Sequence, residues 1–336
     1  MPALSRQESR AGERWLPSHR EVSSHPRRGR KKDKKGATCP GIHSLFQKEG
    51  GIMSSIHLIT SGKGGVGKST LAASLGAALS KDGRQIVLVD TDIGLRSQDL
   101  FLNLESRVVF DLLDVTTGRC LLTQALLESP DLPGLFLLPA AQFARCKDLE
   151  PKKLRRVLSL LQQRFDFVLI DCPAGLERGL RNVLNACASD KITPSVLLVV
   201  TPDDLCIRAA ERVASLLDAK GLPRPQLLVN RLSPDLIRSG DMYTAQTIAA
   251  LLDLPLLGEI PEDPGIRLAQ LRRRPLLAFD CEARSAILRI ASRMAMDPGL
   301  PDSSLPALPA YGSSNPSLFR RVCRRLFPRK LKEVRL

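Results

Sequence analysis

Residues 62–69 read Gly-Lys-Gly-Gly-Val-Gly-Lys-Ser and combine four glycines with two lysines and a hydroxyl. They match the P-loop pattern G-x-x-x-x-G-K-[ST], whose glycines let successive backbone N–H groups turn toward a triphosphate. In that pattern Lys68 reaches the β- and γ-phosphates and Ser69 offers its hydroxyl to Mg²⁺. The run predicts a site for a nucleoside triphosphate and Mg²⁺. A second lysine, Lys63, directly follows the first glycine.

The residues on either side of this loop predict the elements that position it. An apolar run at residues 56–59 precedes the loop and predicts a strand, and apolar residues at helical spacing follow it, with Leu71, Leu75 and Leu79 among them. A strand-loop-helix order places the phosphates at a helix N-terminus, where the helix dipole favours negative charge.

Aspartates end two further apolar runs. Residues 86–90 read Ile-Val-Leu-Val-Asp and are followed by Thr-Asp, while residues 167–171 read Phe-Val-Leu-Ile-Asp. Asp90, Asp92 and Asp171 therefore lie at predicted strand ends, where carboxylates can hold Mg²⁺ directly or through water. A single aspartate there often only caps a turn. Two such strand ends together with a P-loop favour the metal site.

Seven short apolar runs alternate with helical patterns between residues 56 and 296. The runs are residues 56–60, 86–90, 135–139, 167–171, 195–201, 226–230 and 256–260, with helical patterns such as 152–164 and 205–218 between them. Continuous apolar strands that alternate with amphipathic helices are typical of a mostly parallel sheet covered on both faces. We predict an α/β P-loop NTPase domain over residues 53–296, with a doubly wound sheet flanked by helices.

The net charge of +15 is concentrated at the two ends of the 336-residue chain. Residues 1–52 carry twelve basic and five acidic residues, and residues 318–336 carry eight basic residues and one acidic residue. Each end is therefore +7, and the part between them is +1. Basic ends indicate an anionic partner, either nucleic acid or a membrane surface.

Composition divides the rest of the chain and excludes several classes of protein. Residues 1–52 lack periodicity and predict a basic disordered extension, or a stretch upstream of a translation start at Met53. Residues 297–316 are rich in Pro, Gly and Ser and predict a flexible linker. No 18-residue apolar run and no signal-type N-terminus occurs. The eight cysteines contain no C-x-x-C pair, which favours reduced thiols in a cytosol over a zinc ribbon.

Residues 317–336 predict an amphipathic helix followed by a basic tail. At about 100° per residue, apolar and basic side chains fall on opposite faces. The apolar face contains Leu318, Phe319, Val322, Cys323, Leu326 and Phe327, and the basic face contains Arg320, Arg321, Arg324 and Arg325. This pattern is typical of a helix that lies on an anionic membrane. The alternative is a last helix docked on the domain with solvated arginines.

The P-loop with its early lysine resembles the signature of the MinD/ParA family of ATPases, and residues 90–99 resemble the switch segment of its MinD branch. Further similar segments are residues 107–111, Asp114, Gly118, residues 138–142, 171–177, 238–242 and 260–263. The resemblance covers residues 54–295 and the extreme C-terminus. It departs at Ser69, at Cys172 and in the run from Thr201 to Asp204, and the stretch from Ser189 to Ser195 is longer than usual.

The resemblance implies catalytic roles for Lys63, Lys68, Asp90 and Asp92. Lys63 would cross an ATP-dependent homodimer to the partner's phosphates, Asp92 would orient the attacking water and Asp90 would support the switch. Mg²⁺ would be held by Ser69, Asp92 and Asp171. The implied nucleotide-binding residues are Gly62, Lys63, Gly64, Gly65, Val66, Gly67, Lys68, Ser69 and Thr70 at the phosphates, and Asn230, Arg231, Pro261 and Glu262 at the adenine.

The implied function is that of an ATPase that attaches to the cytoplasmic face of the bacterial inner membrane and positions the division septum. Its implied partners are a MinC-like division inhibitor and a MinE-like activator. The alternatives are a ParA-like DNA-partition ATPase, which would use the basic ends on DNA, and an FlhG-like flagellar-number ATPase. The amphipathic helix and the Gly-Leu-Arg run at residues 94–96 favour the first interpretation. An iron–sulfur relative has little support from scattered cysteines.

Overall fold

The structure is a computed structural model that describes residues 54–81, 83–189 and 192–296. Within these residues one eight-stranded sheet has the order β3-β4-β2-β5-β1-β6-β7-β8. The strands are β1 Ser55–Thr60, β2 Ile86–Asp90, β3 Leu127–Glu128, β4 Leu135–Leu138, β5 Phe167–Asp171, β6 Ser195–Val200, β7 Gln226–Leu232 and β8 Leu256–Pro261. The predicted mostly parallel α/β sheet is confirmed.

The strand register brings the functional strand ends together. β5 lies between β2 and β1, so that Asp90 pairs with Asp171 and Ile59 pairs with Asp171 on the other side. All neighbouring strands are parallel except β3 and β4. The apolar runs predicted seven of the eight strands, whereas β3 was missed because two residues carry no periodicity.

Helices flank this sheet. They are α1 Lys68–Ser80, α2 Gln98–Phe101, α3 Leu112–Thr117, α4 Leu122–Ala125, α5 Pro151–Gln162, α6 Arg178–Cys187, α7 Asp204–Asp218, α8 Pro234–Ser239, α9 Ala245–Leu252, α10 Pro264–Leu271 and α11 Glu282–Ala295. Short 3₁₀ turns occupy Glu105–Arg107, Cys146–Asp148 and Leu276–Ala278. α1 packs against β2 and β5 on one side and against α11 on the other, so that it is buried along most of its length.

The core consists of the apolar strand residues and the inner faces of these helices. Leu58, Leu88, Leu169 and Leu197 are fully buried at the centre of the sheet. Removing such a buried side chain destabilises a domain by about 2–5 kcal/mol because the cavity does not close completely. The strand ends that carry the aspartates are therefore held by a rigid core.

Several predictions fall outside the described residues. They are the basic extension at 1–52, the linker at 297–316 and the amphipathic helix at 317–336, and these domain boundaries remain predictions. Within residues 54–81, 83–189 and 192–296, no helix is both long and apolar enough to cross a membrane.

Candidate functional site

The P-loop runs from the end of β1 into the first turn of α1, as its sequence predicts. Two of its glycines are required by close contacts. A Cβ on Gly67, whose φ is +94°, would lie 2.4 Å from Nδ2 of Asn230. A Cβ on Gly62 would lie 2.4 Å from the carbonyl carbon of Ala209 in α7. The loop is therefore pressed between β7 and α7, and its backbone is free to line a cleft.

Lys68 and Asp171 form the buried centre of the site. The Lys68 Nζ donates to Oδ1 of Asp171 at 2.6 Å, and both side chains are buried. Burial alone would lower the pKa of Lys68, but the adjacent Asp171 carboxylate outweighs burial and raises that pKa. Lys68 therefore stays charged at the base of the P-loop, where it can bind phosphate oxygens.

Asp90 shapes the segment between β2 and α2. Its carboxylate accepts hydrogen bonds from the backbone N–H groups of Asp92 at 2.9 Å, Ser97 at 3.1 Å and Gln98 at 3.2 Å. Burial, together with the nearby charge of Asp171, raises the pKa of Asp90 to about 7. This carboxylate holds the backbone of the segment that carries Asp92.

Asp92 lies at the open side of the same cluster. Burial raises its pKa, and Asp171 acts in the same direction, while the positive charge of Lys68 opposes them. Both Asp92 and Lys68 line a cleft of about 390 Å³ over the P-loop. The cleft is bordered by Ser61, Lys63, Gly64, Gly65, Val66, Gly67, Lys68, Ser69, Thr70, Asp92, Leu95, Ser97, Phe101, Ala174 and Arg231.

The second lysine of the loop is held differently from the first. The Lys63 Nζ lies 3.4 Å from Oδ1 of Asp203, and both side chains are about half exposed. Asp203 also caps α7, because its carboxylate accepts from the backbone N–H of Cys206 at 2.9 Å and from the Thr201 hydroxyl at 2.6 Å. Lys63 is thus loosely attached at the rim of the cleft.

The residues predicted to border the adenine divide into two groups. Asn230 is buried, and its Nδ2 donates to the carbonyl of Val66 at 2.8 Å, which leaves Oδ1 without a hydrogen-bond partner among the described residues. Arg231 lines the cleft with a left-handed backbone at φ +61°. Pro261 and Glu262 lie at the end of β8, where the Glu262 N–H donates to the carbonyl of Leu232 at 2.8 Å. In the described part of the chain these two do not line the cleft.

Sequence reasoning did not single out Gln98 or Asp203. The Gln98 Nε2 donates to Oδ2 of Asp171 at 2.5 Å and to the carbonyl of Ser69 at 3.1 Å. For Gln98, the signal in the sequence was a polar residue in the segment that follows Asp90 and Asp92. For Asp203, the signal was a helix-capping residue directly after β6.

The donor set fits a nucleotide with Mg²⁺. The glycine cradle supplies N–H groups at a helix start, Lys68 supplies a fixed positive charge, and Ser69 supplies a hydroxyl. Asp92 and Asp171 supply carboxylates, the ligands that Mg²⁺ prefers. The Oδ1 of Asn230, which has no partner within the described part of the chain, is an acceptor that a base with an exocyclic amino group can satisfy.

Residues 57–276 match the family described as the CobQ/CobB/MinD/ParA nucleotide binding domain, which is more than half of the chain. The chain belongs to this family. Within the family, the chain is similar to septum site-determining MinD proteins. The septum site-determining protein MinD of Synechocystis sp. is 42% identical over 226 residues, which cover 67% of this chain and 82% of that protein. The resemblance found in the sequence motifs is confirmed.

Solved structures of family members agree with the fold. The MinC:MinD cell division protein complex of Aquifex aeolicus is matched at 34% identity and a TM-score of 0.63, over 74% of this chain and 98% of the matched chain. MinD of Pyrococcus horikoshii, complexed with Mg-ADP, is matched at 30% identity and a TM-score of 0.63, over 72% and 96%. The chain therefore has the fold and the nucleotide-binding domain of this family.

Proposed function

We propose that this chain is a MinD-type ATPase of cell division, which dimerises on ATP and attaches to the inner membrane. The observation that carries the proposal is the contrast between the two P-loop lysines. Lys68 is buried on Asp171 beneath the loop, while Lys63 is half exposed at its rim. The exposure of this lysine at the rim supports a role toward a second molecule that covers the cleft.

In this proposal the P-loop N–H groups and Lys68 bind the phosphates of ATP. Ser69, Asp92 and Asp171 hold Mg²⁺ directly or through water, and the bound ion supplies positive charge that the phosphates need. The MinD of Pyrococcus horikoshii complexed with Mg-ADP supports a nucleotide and Mg²⁺ as the ligands. Asn230 accepts from the adenine amino group, because its Nδ2 is already engaged by Val66. Arg231, Pro261 and Glu262 complete the surroundings of the base.

Hydrolysis of the phosphoanhydride depends mainly on positioning and on charge stabilisation. Asp92 orients the attacking water, and Asp90 holds the backbone on which Asp92 is carried. Lys63 of a second copy stabilises the charge that develops on the γ-phosphate, as an arginine finger does in other NTPases. Because that lysine comes from the partner copy, hydrolysis requires the dimer.

Membrane attachment is assigned to residues 317–336 through the apolar and basic faces of their predicted helix. One short helix binds weakly, whereas a dimer presents two, and the second binds at a high effective concentration. The MinC:MinD complex of Aquifex aeolicus supports a MinC-like partner. By resemblance the activator is MinE-like, and the protein works in the bacterial cytoplasm and on the cytoplasmic face of the inner membrane.

The proposal is tested by co-sedimentation of the full chain with vesicles that contain phosphatidylglycerol, in ATP and in ADP. We expect at least about tenfold more pelleting with ATP, because two tails act together. Deletion of residues 317–336 abolishes it. Deletion of residues 1–52 is the matched control, since it also removes a charge of +7 but no amphipathic pattern. Pelleting in neither nucleotide, with ATP-dependent DNA binding instead, contradicts the proposal and favours the ParA-like alternative.

A further inference from the structure

The buried Gln98 belongs to the switch segment and contacts Asp171, the carboxylate to which the proposed function assigns Mg²⁺. Its Nε2 donates to Oδ2 of Asp171 at 2.5 Å and to the backbone carbonyl of Ser69 at 3.1 Å. Both neighbours can only accept hydrogen bonds, so the amide must present its NH₂ group to them. Its Oε1 is left buried without a hydrogen-bond partner among the described residues. A buried amide whose NH₂ group is hydrogen-bonded but whose oxygen is not needs an explanation, and a functional role is one.

Both oxygens of Asp171 are therefore occupied by this chain's own donors. Lys68 donates to Oδ1 at 2.6 Å, and Gln98 donates to Oδ2 at 2.5 Å. In the proposed function Asp171 holds Mg²⁺, so the ion or its water must share or displace these donors. The neutral Gln98 amide thus occupies the position on Asp171 that Mg²⁺ or a water molecule bound to it would take.

We propose that Gln98 is a positioning residue that fastens the switch segment, residues 90–99, to Asp171 and competes with Mg²⁺ for that carboxylate. It releases that segment when Mg²⁺ and ATP enter the cleft. This inference rests on the proposed function, because it assigns a regulatory contact within the same site. It makes the position of the segment depend on whether the metal site is filled.

The backbone explains why release at Gln98 reaches the catalytic aspartate. The Gln98 N–H donates to Asp90, and the Asp92 N–H donates to the other oxygen of the same carboxylate. Gln98 therefore bridges Asp90 and Asp171, which pair directly across β2 and β5. It is also the first residue of α2, whose last residue, Phe101, lines the cleft. A change at the Gln98 amide therefore affects both ends of the segment from Asp92 to Gln98.

The test uses the full chain as wild type, Gln98→Leu and Gln98→Glu, with Gln226→Leu as control at the exposed start of β7. A fluorescent ATP analogue carrying an N-methylanthraniloyl group is titrated with MgCl₂, and separately added in EDTA. Because the leucine side chain offers no competing donor, the half-saturating Mg²⁺ concentration of Gln98→Leu falls about tenfold, the effect expected for one hydrogen bond to a charged group. Affinity in EDTA stays within about twofold, so that only the metal-dependent part of binding changes.

The second readout needs no nucleotide. Hydrogen exchange at residues 91–101 is faster in nucleotide-free Gln98→Leu than in nucleotide-free wild type, and it approaches the rate of wild type with Mg²⁺ and ATP. Gln98→Glu keeps the shape of the side chain but opposes Asp171 with a second negative charge. Because its added carboxylate itself attracts Mg²⁺, only hydrogen exchange is diagnostic for this variant. Its exchange is faster as well, and this readout decides the test if Gln98→Leu does not fold.

The outcomes separate this inference from the proposed function. If wild type binds the analogue with Mg²⁺ but Gln98→Leu matches it in Mg²⁺ requirement and both variants match it in exchange, the role of Gln98 is overturned and the ATPase proposal stands. If wild type does not bind the analogue at all, the proposed function fails, and the metal-linked role of Gln98 fails with it. A shift in Gln226→Leu equal to that in Gln98→Leu also overturns the inference.

Discussion

The P-loop contains two lysines that each pair with an aspartate, but in opposite surroundings. Lys68 lies 2.6 Å from Asp171, and the two side chains are 6% and 0% exposed. Lys63 lies 3.4 Å from Asp203, and these side chains are 48% and 44% exposed. Both pairs join a lysine of the P-loop to an aspartate, so that burial is the main difference between them.

Burial decides how readily each lysine can leave its aspartate. Separating a buried pair by removing one partner leaves a charge in a medium of low dielectric and destabilises a protein by about 3–5 kcal/mol. An exposed pair contributes about 0–1 kcal/mol, because water solvates both groups after they part. One loop therefore contains a fixed lysine, which the proposed function assigns to the phosphates, and a second lysine that can change partners at small cost.

The largest expected effect comes from the buried pair. Lys68→Met leaves Asp171 buried with the Gln98 amide as its only donor among the described residues, and we expect a loss of about 3 kcal/mol in the free energy of unfolding. Nucleotide binding is lost as well, because the charge beneath the phosphates disappears. Urea unfolding and binding of a fluorescent ATP analogue measure the two effects.

The matched control is Lys153→Met in α5, which removes the lysine of an exposed pair with Glu150. It should change the free energy of unfolding by less than about 1 kcal/mol. Equal losses in the two variants would show that burial does not separate the two kinds of pair.

Glu259 extends the comparison to a buried carboxylate that has no lysine partner among the described residues. It lies on β8, and neither of its oxygens has a hydrogen-bond partner among the described residues. Burial raises its pKa to about 7, although Arg289 and Arg293 act in the opposite direction. The folded protein therefore binds this proton more tightly than the unfolded chain, so its stabilising contribution is present below about pH 4.5 and is lost as the pH rises through 7.

Glu259→Gln removes that dependence on pH. Relative to wild type, we expect its free energy of unfolding to rise by about 2 kcal/mol between pH 5 and pH 8, because only wild type must bury a negative charge at the higher pH. Urea unfolding across this range measures the difference. Glu282→Gln, at an exposed carboxylate, is the control, and the same pH dependence in the two variants would contradict the raised pKa of Glu259.

The sequence predicted those parts of the molecule that have a regular local pattern. Continuous apolar runs predicted seven strands, and the P-loop spacing together with the strand ends predicted Lys68, Asp90, Asp92 and Asp171 as neighbours. The two-residue β3 has no local signature. The hydrogen-bond and ion-pair partners of individual side chains could not be predicted from the sequence either. Gln98 meets Asp171 across 73 residues and Lys63 meets Asp203 across 140, and both contacts depend on the final register of the sheet.

The smallest effect is expected at the exposed pair, and it tests whether Lys63 is free to serve another molecule. Asp203→Asn removes the charge that holds Lys63, yet asparagine can still cap α7 by accepting from the Cys206 N–H. The free energy of unfolding should change by less than about 1 kcal/mol. If the protein dimerises on ATP as proposed, this dimerisation, measured by sedimentation velocity, should strengthen by about twofold to fivefold, because Lys63 no longer has to leave Asp203 first.

Asp235→Asn is the control, since it breaks a similarly exposed pair with Arg238 in α8. It should leave dimerisation unchanged. If Asp203→Asn instead weakens the dimer, Asp203 positions Lys63 for its partner, and the exposed pair is then as much a fixed part of the site as the buried one.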